Sequence, residues 1–164
     1  EISQETLKIF PNLARNNEKL SIEFLPSFPD INSLNEQDLA LLFNENFSKE
    51  LSYGGTQLGP HKDDFEIQIN DKSSSEFSSR GQIRTATLAL KLGEANSLKK
   101  NLLETPIIVL DDILSELDFD RRKTVVNFIK EYEQIFLTSP DKALLKSITE
   151  SNDKIFNVNE GKIL

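Results

Sequence analysis

Two adjacent carboxylates close an apolar run: Ile107-Ile108-Val109-Leu110 leads directly into Asp111-Asp112. The continuous β-branched run reads as a strand covered on both faces, as in a parallel sheet. Ligand sites in open α/β sheets lie beyond the C-terminal ends of such strands, which is where the two carboxylates fall. One carboxylate there suits Mg²⁺ on a nucleotide, directly or through water, because Mg²⁺ takes hard oxygen ligands. The other suits the orientation or deprotonation of an attacking water. On the dipeptide alone, a strand ending in a solvated acidic turn fits equally well.

Neighbouring residues extend the pattern. The strand and its acids have the form of a Walker B motif, in which Asp112 stands where many sequences carry Glu. Ser115-Glu116-Leu117-Asp118 follows, at the spacing of the D-loop that runs along the contact between two ABC-type ATPase heads. Asp118 also suits the N-cap of a helix, and the two roles are compatible. Upstream, Phe77-Ser78-Ser79-Arg80-Gly81-Gln82 resembles the ABC signature. Ser79, Gly81 and Gln82 take the Ser, second Gly and Gln positions, and Arg80 replaces the first Gly. A Ser and a Gly at a helix start present free N–H groups and the positive dipole end to a phosphate. Ser79 and Gln82 also spell a capping box, S-x-x-Q, which occurs at many helix starts.

The elements that must position these residues follow from periodicity and breakers. Residues 1–18 read as the end of a helix with Leu7, Phe10 and Leu13 on one side, and Leu20–Phe24 alternates as a strand. Pro26 and Pro29 break regular structure. Residues 35–51 read as an amphipathic helix carrying Leu39, Leu42, Phe43 and Phe47, ended by Tyr53-Gly54-Gly55. Phe65, Ile67 and Ile69 mark a half-buried strand, and residues 70–75 a polar turn. Ser79 opens a long helix to about Lys100. After the Ile107–Leu110 strand, Asp118 caps a helix holding Val125, Phe128 and Ile129. Gln134–Thr138 is a further strand, Pro140-Asp141 starts another helix, and Lys154–Val158 with Lys162–Leu164 reads as a hairpin through Asn159-Glu160-Gly161. Strand, helix, strand, helix after residue 100 implies a parallel α/β layer with flanking helices.

Taken together, Leu58-Gly59-Pro60-His61-Lys62-Asp63-Asp64, the strand after it, Phe77 through Thr85, and Leu110 through Asp118 resemble the RecF family in order and spacing. Gln82-Ile83-Arg84-Thr85 and the Asp-Asp pair favour that family over SMC-type heads. The resemblance implies an α/β fold, the C-terminal part of an ABC-type P-loop ATPase head. Residues 1–50 would be the tail of its helical lobe and residues 51–164 the C-terminal part of its nucleotide-binding lobe. It implies a cytoplasmic DNA-repair ATPase of recombination, replication and the SOS response, which forms an ATP-dependent homodimer. It also implies binding of DNA at single-strand/double-strand junctions and work with RecO and RecR in loading RecA. The cofactors would be ATP and Mg²⁺. Asp111 would bind the metal, Asp112 would be catalytic, and Ser79, Gly81, Gln82, Asp118 and Thr138 would contact nucleotide.

Two departures matter. No G-x-x-x-x-G-K-S/T occurs in the sequence, so the phosphate cradle would lie upstream of Glu1 and the chain alone is expected to be inactive. Where ABC transporters carry a switch His, this chain has Leu137-Thr138-Ser139-Pro140. Thr138 could reach the γ-phosphate through water, or simply end a strand before a helix cap. His61 is the single histidine, but a Ser/His/Asp hydrolase is set aside because no G-x-S-x-G elbow is present. The Gly59–Asp64 stretch reads as a rigid turn whose His and Asp side chains hydrogen-bond the signature region. The alternatives to a RecF-like ATPase are another SMC-type head, or a non-catalytic interaction module that keeps the fold without turnover.

Composition sets the bounds. At 164 residues, 37% hydrophobic and 28% charged, the chain is long enough for a globular domain with its own core. Without cysteine it has neither disulfides nor thiolate metal sites. No apolar run approaches the roughly 20 residues that span a bilayer, and no apolar segment of signal-peptide type follows the polar start, so no membrane partner is expected. The net charge of -8 is unevenly spread, with 4 basic and 9 acidic residues over 1–50, 7 and 6 over 51–100, and 8 and 12 over 101–164. No basic segment advertises a DNA-binding face, so DNA is expected as a partner of the whole protein rather than of this chain alone.

Overall fold

A computed structural model of the chain describes every residue except 16, 28–33, 103, 104 and 164. It divides into two compact units, Glu1–Gly93 and Glu94–Leu164.

The first unit opens with helix α1, Ile2–Leu13, whose buried residues are Glu5, Thr6, Ile9, Phe10 and Leu13. Thr6, Ile9, Phe10 and Leu13 form the i, i+3, i+4, i+7 stripe of a helix lying on a core. Leu7, expected on that stripe, is exposed: it follows Thr6 by one residue, about 100° around the helix. The helix also stops earlier than expected, with Ala14 already extended.

Strand β1, Leu20–Leu25, pairs antiparallel with β2, Asp64–Ile69, which pairs with the short β3, Lys72–Ser73. Leu20, Ile22 and Phe24 stand directly across from Ile69, Ile67 and Phe65, so the period-2 pattern makes one apolar face. The link from β2 to β3 is Asn70-Asp71, both at positive φ (53° and 61°), as a two-residue hairpin loop requires. The segment expected as a polar turn over 70–75 is therefore that loop, then β3 and the start of the single helical turn α3, Ser74–Phe77.

Between β1 and β2 lies helix α2, Glu36–Tyr53, opened by a complete Asn35/Asp38 capping box and closed by Gly54 in the left-handed region. None of its residues is buried, so its apolar stripe is uncovered among the described residues. Pro26 does end β1's run, whereas Pro29 lies outside the described residues.

Helix α4, Arg80–Asn101, runs from the first unit into the second. In the first unit it buries Ala86, Leu88, Ala89 and Leu92. Gly93 is needed there: a Cβ on it would lie 2.4 Å from Thr6 Oγ1 and 2.7 Å from Thr6 N, so the two helix backbones meet at a contact that only glycine permits.

The second unit contains the expected parallel α/β layer. Strand β4, Ile108–Asp111, runs parallel to β5, Ile135–Thr138, with helix α5, Phe119–Ile129, as the crossover, the connection parallel strands require. Helix α6, Lys142–Ile148, follows, capped by Asp141, and then the hairpin strands β6, Val158–Asn159, and β7, Lys162–Ile163. Ile108, Leu114, Leu117, Val125, Val126, Ile129, Tyr132 and Leu144 form the core. Lys99 lies over the Tyr132 ring, 4.9 Å from its centre. Burial of the ring, with the Glu131 charge beside it, pushes the Tyr132 pKa up.

One expectation about β4 fails. Val109 is 63% exposed and Ile107 57%, so the strand is covered on one face, not two. Sheet neighbours alternate in facing, and Val109 and its partner Phe136 have no layer over them among the described residues.

Candidate functional site

The first cluster is the N-terminal end of α4. Ser79 precedes the first helical residue, and both halves of a capping box are formed. The Gln82 N–H donates to Ser79 Oγ at 3.2 Å, and the Ser79 N–H donates to Gln82 Oε1 at 2.8 Å. Gln82 is held from its other end too, its Nε2 donating to Glu18 Oε1 at 2.8 Å. The capping role and a phosphate-binding role are chemically compatible here. Capping uses a lone pair of the Ser79 oxygen and leaves its O–H proton to donate. The N–H groups of Arg80 and Gly81 belong to the helix's unsatisfied first turn and have no partner among the described residues. Gly81 itself has no packing reason to be glycine, since a Cβ would meet only Ser79 Oγ, at 4.0 Å.

The second cluster is the turn after β4. In-register pairing sets Asp111 beside Thr138 at the C-terminal ends of β4 and β5. The Thr138 hydroxyl donates to Asp111 Oδ1 and accepts the Asp112 N–H at 3.1 Å. The Thr138 carbonyl receives the same N–H at 3.2 Å. Asp112 adopts left-handed backbone, φ 52° and ψ 12°, which Asp tolerates better than most residues at a cost of about 1–3 kcal/mol. Its carbonyl is pinned as well, accepting from Ser115 Oγ at 2.8 Å and Ser115 N at 3.3 Å. Both carboxylates are exposed.

Beyond Asp112 the chain makes a 3₁₀ turn, Ile113–Glu116, anchored by buried Leu114. Arg122, from the first turns of α5, donates to Leu114 O at 2.7 Å and Ser115 O at 3.2 Å. Asp118 caps α5, accepting the Arg121 N–H at 3.1 Å. The whole Asp111–Asp118 string is thus tied to β5 at its start and to α5 at its end.

No protein-family profile matches the chain. Individual relatives do. The DNA replication and repair protein RecF of Clostridium novyi (strain NT) is 34% identical over 156 residues, 95% of this chain and 43% of that protein. The protein of that name from Lactobacillus delbrueckii subsp. bulgaricus is 33% identical over 169 residues, 100% of this chain and 44% of its own length. A solved structure of the recombination mediator protein RecF-ATPrS in the RecFOR pathway superposes with a TM-score of 0.74 at 30% identity, covering 99% of this chain and 43% of that one. A second, of RecF-ATP, gives 0.73. The chain belongs to the RecF family. It spans less than half the length of the RecF proteins it matches.

In this RecF-family chain the residues singled out by spacing fall into two groups in different units. Ser79, Gly81 and Gln82 share the start of α4; Asp111, Asp112 and Thr138 meet at the C-terminal ends of β4 and β5, while Asp118 stands farther along the chain as the cap of α5. The Asp111–Asp112 pair fits Mg²⁺ in donor type. Among the described residues no group of three or more His, Cys, Asp or Glu is placed to hold a metal ion. Glu18 and Arg122 carried no sequence signal for this site, because their partners depend on tertiary contact and on helix direction. The Gly59–Asp64 turn does not reach the signature residues as expected. Asp63 Oδ1 accepts the Ser27 N–H at 2.8 Å, and the His61 ring nitrogen lies 3.3 Å from Thr56 O. The turn closes on its own neighbourhood because Gly59 O and Ser27 Oγ also bond, at 3.0 Å.

Proposed function

We propose that the chain is part of a DNA replication and repair ATPase of RecF type, in which ATP is bound and hydrolysed between two heads. The observation that carries this is the Asp111–Asp112 pair at the C-terminal end of a parallel strand, in a chain of a family whose solved members include ATP complexes. Asp111 would hold Mg²⁺ and Asp112 would position and deprotonate the attacking water. Mg²⁺, when bound with ATP, supplies charge neutralisation on the phosphates. Ser79, Gly81 and Gln82 would face the γ-phosphate held by the opposite subunit, with Asp118 in the loop along that contact. Residues 1–50 would belong to the helical lobe and residues 51–164 to the nucleotide-binding lobe. Single-strand/double-strand DNA junctions, RecR and RecO are partners assigned to the whole protein, together with RecA loading, recombinational repair within the SOS response and a cytoplasmic location. No described helix is long and apolar enough to cross a membrane.

The test is one ATPase assay with three samples. Full-length protein turns over ATP. The present chain, which carries no P-loop sequence, does not. Full-length Asp112→Asn binds ATP but loses at least about 100-fold in kcat, the lower range for a general base, and accumulates as ATP-bound dimers in sedimentation. Unchanged kcat in Asp112→Asn removes Asp112 from catalysis, and turnover by the chain alone overturns the two-part site.

A further inference from the structure

The Thr138 hydroxyl sits between the two acidic residues and bonds to both. It donates to Asp111 Oδ1 and accepts the Asp112 N–H at 3.1 Å. A hydroxyl has a single proton, and this one is committed to a carboxylate, so none is left for a phosphate oxygen. The contact is set by strand register, which pairs Asp111 with Thr138, and so belongs to the sheet rather than to a chance rotamer. The neighbouring hydroxyl has another task, since Ser139 Oγ accepts the Asp141 N–H at 3.1 Å at the start of α6.

Asp112 gives the contact its consequence. Its left-handed backbone is disfavoured by itself and persists only where surrounding bonds over-determine it. Thr138 supplies both acceptors on the N–H side of that residue, its hydroxyl at 3.1 Å and its carbonyl at 3.2 Å. One side chain therefore orients the first carboxylate and steadies the turn that presents the second. Groups that orient a metal's ligand in this way typically change metal affinity when removed.

We propose that Thr138 is a positioning residue for the carboxylate pair, fixing the Asp111 carboxylate and the Asp112 turn through its hydroxyl, and that it does not contact nucleotide. This rests on the reading of Asp111 as the metal-holding residue.

The experiment uses full-length protein with Thr138→Val, which keeps the shape and removes the hydroxyl, and Thr138→Ser, which keeps the hydroxyl. Thr138→Ala provides a second hydroxyl-free variant on a partly solvated strand end. Three quantities are read: the Mg²⁺ concentration that half-saturates ATP binding, the affinity for Mn²⁺ with ATP by electron paramagnetic resonance, and hydrogen exchange of the Asp112 amide. Thr138→Val and Thr138→Ala are expected to weaken metal dependence by about 10–100-fold and to speed Asp112 exchange, while Thr138→Ser restores both. ATP affinity without metal should be unchanged, because no phosphate contact is lost. Wild-type metal dependence in Thr138→Val, or equal losses in Val and Ser, overturns the proposal. Asp111→Asn serves as the control. If it weakens metal dependence while Thr138→Val does not, only the positioning role falls. If it has no effect, the metal-holding reading itself falls, and with it the role assigned to Thr138.

Discussion

The start of α4 and the turn after β4 solve opposite problems. At α4 the bonds that shape the end are mostly local: Ser79 and Gln82, three residues apart, satisfy each other. What remains is a set of donors, the Arg80 and Gly81 N–H groups and the Ser79 proton, facing outward. At β4 the shaping bonds are long-range. Thr138 lies 27 residues from Asp111, and the strained Asp112 backbone is held from both sides. What remains there is a pair of acceptors. A helix start keeps spare donors automatically, because its first turn has no preceding carbonyls to bond. Two adjacent carboxylates repel each other and need a scaffold to stay in one arrangement.

The largest test of this contrast is at Ser79. If the α4 start is only a cap, Ser79→Ala costs about 1 kcal/mol of stability and nothing else, and Ser79→Arg behaves similarly. If its spare donors face a phosphate, Ser79→Arg abolishes ATP-driven dimerisation of the full-length protein while each monomer still binds ATP. An Arg there opposes the helix dipole and fills the space a phosphate needs. Sedimentation with ATP, beside a melting curve and a nucleotide titration, separates the two. ATP-dependent dimers of the Arg variant at wild-type affinity would leave the α4 start a structural cap.

The two glycines of α4 sharpen the same contrast on a smaller scale. Gly93→Ala drives a methyl into Thr6 and is expected to destabilise by about 1–3 kcal/mol, the usual cost of overpacking, as read by urea unfolding. A neutral Gly93→Ala would show that α1 and α4 can part without loss.

Gly81→Ala is the smallest effect on stability and has the opposite sign. Nothing crowds a Cβ there, and Ala is favoured over Gly in a helix by up to about 1 kcal/mol. The variant is expected to melt slightly higher and yet to dimerise less well with ATP. Normal dimerisation in a stabilised Gly81→Ala would mean that the glycine keeps no space for a ligand.

Features that depend on neighbours in the chain could be read from the residues alone. The capping box at Ser79, the Asp118 cap of α5, the Gly54 stop of α2 and the alternation of Phe65, Ile67 and Ile69 each rest on fixed spacings of three, four or two residues, and they stand where those spacings put them. The parallel pairing of β4 and β5 was legible for a similar reason, since a helix between two apolar runs leaves few other topologies. The Asn70-Asp71 loop was less legible, because β3 is too short to carry a periodic signal. Tertiary structure alone decided the rest. Strand register brought Thr138 to both acids, a contact across 64 residues tied Glu18 to Gln82, and the direction of α5 turned Arg122 back onto the Leu114 and Ser115 carbonyls. It also left Val109 exposed, since an apolar strand records how much surface it has to bury but not which layer covers it. Local spacing sets which groups a backbone can satisfy nearby, whereas distant partners are set by packing and register, which no short window of residues contains.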